Sequence, residues 1–196
     1  MGTRDRALLL LGFAGAFRRS ELVGLDVTAG GDGHGHVEFT RDGLVVTLTR
    51  SKTDQEGQGR QVGIPYGSNL QTCPVRALED WLAAAGLKTG PVFRWVNRHG
   101  QLQDGRLSDK AVAKVVKRTA CAAAIAKGAD EKTAQAFAAN FSGHSLRAGL
   151  ATSAAAAGVP ERAIMAQTGH KRTDTLRKYI RLGSLFRENA AAQVGL

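Results

Sequence analysis

From Ala7 to Phe17 no side chain is charged or polar. A helix built on this run, opening at Thr3 as N-cap and spanning about Arg4 to Phe17, has almost no polar face. It therefore has to be covered nearly all round by other elements. The 196 residues supply enough chain to bury such a helix in a real core. Arg4 and Arg6 ahead of the run, and Ala14-Gly15-Ala16 within it, also fit a secretory signal. The run is short, however, and passes at once into Arg18-Arg19-Ser20-Glu21-Leu22, so we read it as a buried first helix. No stretch approaches the ~20 apolar residues of a membrane span.

A short helical turn from Ser20 is expected next, and then the periodicity changes. Gly30, Gly31, Gly33 and Gly35 form a loop, Val37 to Thr40 alternates as a strand, and Asp42-Gly43 marks a hairpin. Leu44 to Thr49 gives a second strand, Asp54 to Gly59 a polar turn, and Gln61 to Ile64 a third strand. This predicts a small three-stranded antiparallel sheet with Lys52 at the start of its second turn. Helical patterns then resume. One is capped by Thr72, with Pro74 in its first turn, and runs to about Ala85; one is capped by Ser108; one lies within Asp130 to Ala139. Another runs from about His144 to Ala157 with Leu146, Leu150 and Ala154 toward the core, and another from Pro160 to Gly169. A short helix carrying Tyr179 follows, and an amphipathic tail shows Leu185, Phe186, Ala190 and Val194 on one face. The fold class is α+β, mostly helical with one small sheet.

Charge points to the partner class. Lys plus Arg total 27 against 17 acidic residues, a formal net charge of +10. That excess suits a polyanion, and nucleic acid is the commonest one. The helix after Ser108 carries Lys110, Lys114 and Lys117 at helical spacing, either a solvated face or a DNA-facing one. Cys73 and Cys121 are far apart and read as small buried hydrophobes. His34 and His36 flank Gly35 without a third ligand, and no carboxylate cluster suits Mg²⁺, so neither a metal nor another cofactor is expected.

Chemistry is concentrated in four separated segments: Gly15-Ala16-Phe17-Arg18-Arg19-Ser20-Glu21-Leu22, Ser51-Lys52-Thr53, His144-Ser145-Leu146-Arg147, and Thr168-Gly169-His170 with Tyr179 nine positions after His170. His144 and Arg147 share a helix face by their spacing. Two guanidiniums, Arg18 and Arg147, can clamp the non-bridging oxygens of a phosphodiester as charge builds on them. Thr168 and Gly169 read as a helix end that sets the direction of His170. Of the two tyrosines, Tyr66 sits at a strand end and reads as a packing or surface residue, and a phenol such as that of Tyr179 can attack phosphorus to form a phosphotyrosine.

Taken in order, these segments resemble the tyrosine recombinase (phage integrase) family, from about Arg4 to Tyr179. The resemblance implies that family's catalytic-domain fold over residues 1–196. It makes Arg18, Lys52, His144, Arg147, His170 and Tyr179 catalytic, Lys52 as general acid, with Glu21 orienting them from behind and Lys110, Lys114 and Lys117 facing DNA. The implied activity is site-specific breakage and rejoining of DNA through a 3′-phosphotyrosyl link, without metal or ATP. The implied partner is double-stranded DNA, bound as a homotetramer on paired sites or met as a monomer without DNA, in the cytoplasm at the nucleoid. Family members normally carry an N-terminal core-binding domain, and nothing in this sequence precedes the first catalytic helix, so weak, salt-sensitive DNA binding is expected. Two other readings stay open: a type IB topoisomerase, which shares the chemistry but relaxes supercoils, and a non-catalytic DNA-binding module.

Overall fold

The computed structural model describes residues 2–49 and 59–184. Lys52 and the apolar tail positions Leu185, Phe186, Ala190 and Val194 lie outside the described residues.

The first helix, α1 (Thr3–Ala14), leads into α2 (Arg19–Val23). A sheet follows: β1 (Leu25–Asp26), β2 (Gly35–Thr40), β3 (Gly43–Leu48) and β4 (Arg60–Pro65). Helix α3 (Pro74–Ala85), the strands β5 (Arg94–Val96) and β6 (Leu102–Arg106), and the long α4 (Asp109–Ala126) come next. The chain then turns fully helical through α5 (Glu131–Ala139), α6 (Ser145–Ala156), α7 (Glu161–Thr168) and α8 (Thr173–Ser184).

The architecture is α+β, with two departures from the sheet expected from sequence. The larger sheet has four strands in the order β1-β2-β3-β4, and β1 runs parallel to β2. Strands β2, β3 and β4 pair antiparallel as expected. A second sheet joins β5 to β6. Strand β1 is two residues long, which leaves no periodicity to read. Strand β6, Leu-Gln-Asp-Gly-Arg, has neither alternation nor β-branched residues. Each owes its conformation to its pairing, β1 with β2 and β6 with β5, rather than to a pattern of its own.

Helix boundaries also shifted. Gly2, not Thr3, is the N-cap of α1, and Cys73, not Thr72, that of α3, placing Pro74 in the first helical position, where its missing N–H costs nothing. Ser108 caps α4 by accepting the Ala111 N–H.

One hydrophobic core joins α1, α2, the inner face of the larger sheet, α3 and α4. Helix α1 packs on α3 and also meets α6, α2 and α4. Its covering is less complete than its sequence suggests: Ala7, Leu8 and Leu11 are buried, Leu9 and Leu10 half-buried, and Phe13 is exposed beside Gly149 of α6. A smaller cluster of Ala151, Ala155, Ile164 and Leu176 joins α6, α7 and α8. On α6 the buried stripe is Arg147, Ala151 and Ala155, whereas Leu146, Leu150 and Ala154 are only half-buried, one position away from the face expected. The arginine takes the place an amphipathic reading gives to a leucine.

Leu8 is fully enclosed, so Leu8→Ala is expected to lower stability by about 2–5 kcal/mol. Urea unfolding would show this as a lower midpoint at unchanged slope.

Candidate active site

The site begins where α1 ends. Ala16 takes a left-handed conformation, φ 49°, uncommon for a residue with a side chain. The turn reverses the chain and presents the Ala16 carbonyl to Arg147, whose Nη1 donates to it at 2.9 Å. Arg147 is 2% exposed. Burial first, then the neighbouring Arg18, draws its pKa down to about 10, still well above neutrality.

Arg18 follows as the N-cap of α2. Its side chain donates to Glu21 Oε1 at 2.5 Å and its backbone N–H to Glu21 Oε2 at 2.9 Å. Glu21 is 2% exposed, so this carboxylate is held away from water and aimed at arginines. The adjacent Arg19 points elsewhere: it pairs with Asp109 at the start of α4, 3.7 Å away, and lies over Gly143.

Sequence reasoning missed Arg60. As the first residue of β4 it enters the site from the base of the β3–β4 hairpin, the hairpin to whose connecting segment Lys52 belongs. Its Nη2 stands 3.9 Å from Glu21 Oε2 and its Nη1 donates to the Gln167 carbonyl at 3.3 Å. Nη2 is buried and has no hydrogen-bond partner among the described residues. Burial lowers the Arg60 pKa, Glu21 counteracts this and Arg18 adds to it. The one legible hint was a basic residue at a strand start, and no motif singled it out.

The other half of the site comes from α6, α7 and α8. His144 is the N-cap of α6, and its Nε2 lies 2.8 Å from the Tyr179 hydroxyl. Its pKa is lowered by burial, then by Arg147 and Arg18. Helix α7 ends at Gly169, whose φ of 67° closes the helix and turns the chain toward the site. The positive φ favours glycine, and a Cβ there would push on the Arg60 guanidinium. His170 follows, with Nδ1 2.7 Å from Thr168 Oγ1. Burial, then Arg147 and Arg18, lowers its pKa to about 4. The rings of His144 and His170 lie 6.2 and 6.3 Å from that of Tyr179, flanking the phenol.

The structure thus brings together Arg18, Glu21, His144, Arg147, His170 and Tyr179, and adds Arg60. Three guanidiniums face one carboxylate, a surplus of positive charge suited to a phosphate. Lys110, Lys114 and Lys117 are exposed along α4 and take no part in this hydrogen-bonded cluster among the described residues. Tyr66 lies apart, donating to Glu79 at 3.1 Å with Arg76 over its ring. Among the described residues no group of three His, Cys, Asp or Glu side chains is placed to hold a metal ion, and no helix is long and apolar enough to cross a membrane.

Comparison with known proteins gives the family and the fold. The sequence model of the phage integrase family matches residues 1–184. The chain is 43% identical over 189 residues to an integrase/recombinase XerD homologue of Selenomonas ruminantium, an overlap of 96% of this chain and 50% of that protein. It is 26% identical over 178 residues to tyrosine recombinase XerC of Syntrophus aciditrophicus, covering 91% and 49%. The chain therefore spans about half the length of the curated relatives it matches. Among solved structures, the post-cleavage complex of the XerH site-specific recombinase with palindromic difH substrate superimposes with a TM-score of 0.63 at 18% identity, over 97% of this chain and 45% of that one. The integrase of transposon Tn1549 in complex with transposon right-end DNA gives 0.51 at 15% identity, over 89% and 53%. At these identities the structural likeness concerns the fold.

Both histidines have folded-state pKa values below their ordinary value of 6.5. Below that pH the unfolded chain takes up protons that the folded chain refuses, so stability falls as pH drops from 6.5 toward about 4. Thermal melting followed from pH 7 to 4.5 should show a shallower loss for His170→Gln than for the wild type; equal slopes would contradict the shift.

Proposed function

The chain belongs to the phage integrase family, and from that premise we propose that its 196 residues form a catalytic domain that cuts and rejoins DNA with Tyr179 as nucleophile. The observation that carries the reading is the 2.8 Å contact between the Tyr179 hydroxyl and His144 Nε2, beside the arginine cluster. A phenol attacks phosphorus only as it loses its proton, and a neutral imidazole at hydrogen-bond distance can accept it.

In the forward step the Tyr179 oxygen bonds to phosphorus and the bond from phosphorus to the 5′ oxygen breaks. The phenolic proton passes to His144 Nε2. Lys52, carried over from the family resemblance, gives a proton to the departing 5′ oxygen. Arg147 and Arg18 each spend donors on Ala16 and Glu21, but a guanidinium has five, so further N–H groups remain for the non-bridging oxygens. Their charge stabilises the crowded phosphorane where it develops. The phosphotyrosyl bond stores the energy of the broken ester, and a 5′ hydroxyl from another end reverses the step without ATP. Duplex DNA as partner, a tetramer on paired sites and action in the cytoplasm at the nucleoid are parts of the same proposal.

The test is covalent trapping on a pool of nicked duplexes in the presence of EDTA. Wild type should give a DNA-linked band on a denaturing gel. Tyr179→Phe should give none, and Arg147→Ala should slow its formation by roughly 100-fold or more. An adduct persisting in Tyr179→Phe would sink the assignment. Plasmid relaxation without strand exchange would favour a topoisomerase.

Lys110, Lys114 and Lys117 are assigned to the DNA backbone. Replacing each with alanine should flatten the dependence of log K on log salt by about 0.9 for every phosphate left without its lysine. An unchanged slope would return them to solvent.

A further inference from the structure

Among the described residues, Thr168 is the one uncharged polar side chain in the core whose hydroxyl reaches the site. It is fully buried, at 0% exposure, in the last turn of α7. Its hydroxyl oxygen stands 2.7 Å from the Ile164 carbonyl, 3.5 Å from the Met165 carbonyl and 2.7 Å from His170 Nδ1.

Proton counting decides the direction of these bonds. A hydroxyl has one hydrogen to donate, and a carbonyl can only accept. The Ile164 carbonyl, four residues back in the helix, takes the hydroxyl hydrogen, the usual back-bond of a helical threonine. The bond to His170 must then run the other way, with Nδ1–H donating and Oγ1 accepting. A neutral imidazole carries one ring proton, so with Nδ1 protonated, Nε2 is bare.

We propose that Thr168 is a positioning residue that locks His170 in the Nδ1–H tautomer and so makes Nε2 the only nitrogen of that ring able to exchange a proton with the site. This rests on the phosphotyrosyl reading above for its catalytic meaning, though not for the tautomer itself. The surroundings keep the ring neutral when no anion is present, since burial first, and then Arg147, Arg18, His144 and Arg60, act against its protonation. A phosphate on the arginine cluster offsets that field. The proton then taken up goes to Nε2, because Nδ1 is already occupied, and Nε2–H can donate to the bound phosphate. The buried hydroxyl thus selects which end of the ring becomes the acid.

The experiment is ¹⁵N NMR of the histidine rings in the full 196-residue chain without DNA, with His170→Gln identifying the His170 signals. Wild type should show His170 neutral at pH 7 with the protonated-nitrogen shift at Nδ1 and the bare-nitrogen shift at Nε2. Thr168→Ser keeps the hydroxyl and should keep that pattern. Thr168→Val keeps the branched shape, loses the acceptor, and should move the proton to Nε2. A wild type already protonated at Nε2 would overturn the proposal, even if the valine variant failed to fold. So would a folded Thr168→Val that retained Nδ1–H. Adduct formation, measured separately, should be slowed roughly 100-fold in Thr168→Val and restored in Thr168→Ser; a switched tautomer with unchanged cleavage would overturn the catalytic part. Absence of any adduct in wild type, with the tautomer as stated, would instead bring down the functional reading and leave the tautomer assignment standing.

Discussion

Keeping a guanidinium charged inside the protein is the constraint on which the rest of this structure depends. Arg147 is the largest of the fully buried side chains among the described residues, and removing such an ion from water costs several kcal/mol unless partners replace the lost solvent. The Ala16 carbonyl is one partner, and the field of the buried Glu21 is another. Each partner has its own requirement. Ala16 must adopt a left-handed turn to aim its carbonyl inward, and Glu21 must sit one turn into a helix that opens at Arg18. The end of α1 and the start of α2 meet for this reason, and the start of β4 and the end of α7 close on the same site through Arg60 and the Gln167 carbonyl. The small sheet and the packing of α1 on α3 supply the frame that holds those four ends in register.

The same constraint explains what could be read beforehand. Arg18, Glu21, His144, Arg147, His170 and Tyr179 stand in short motifs whose spacing is local, so residue types and order sufficed to single them out. Arg60 belongs to no such motif. Its place beside Glu21 follows from the pairing of β4 with β3 and from α7 lying close by, both properties of the assembled fold. Lys52 was singled out in sequence and stands outside the described residues.

The errors of detail share a cause. On α6 a hydrophobicity pattern puts Leu146 and Leu150 inward, yet the deepest position goes to Arg147. A charged group with internal partners inverts the usual rule for what is buried. Thr168 does end α7 as read, but its bond to the ring two residues on, around a left-handed glycine, left no mark in the sequence. Strands β1, β5 and β6 are too short or too polar to announce themselves.

Tyr179 is fastened differently from the arginines. Arg18 and Arg147 are tied to the main core, but α8 rests on α6 and α7 through a small cluster of Ala151, Ala155, Ile164 and Leu176, with Ala154, Met165 and Tyr179 packed against it, among the described residues. Apolar surface of that extent contributes only a few kcal/mol. Undocking α8 would leave the larger core intact, so it can proceed as a local opening far below the free energy of global unfolding. The contact seen here is then a population: the fraction of time Tyr179 spends against His144. Substitutions in the small cluster can tune that fraction in either direction while the melting temperature, set by the larger core, stays almost where it was.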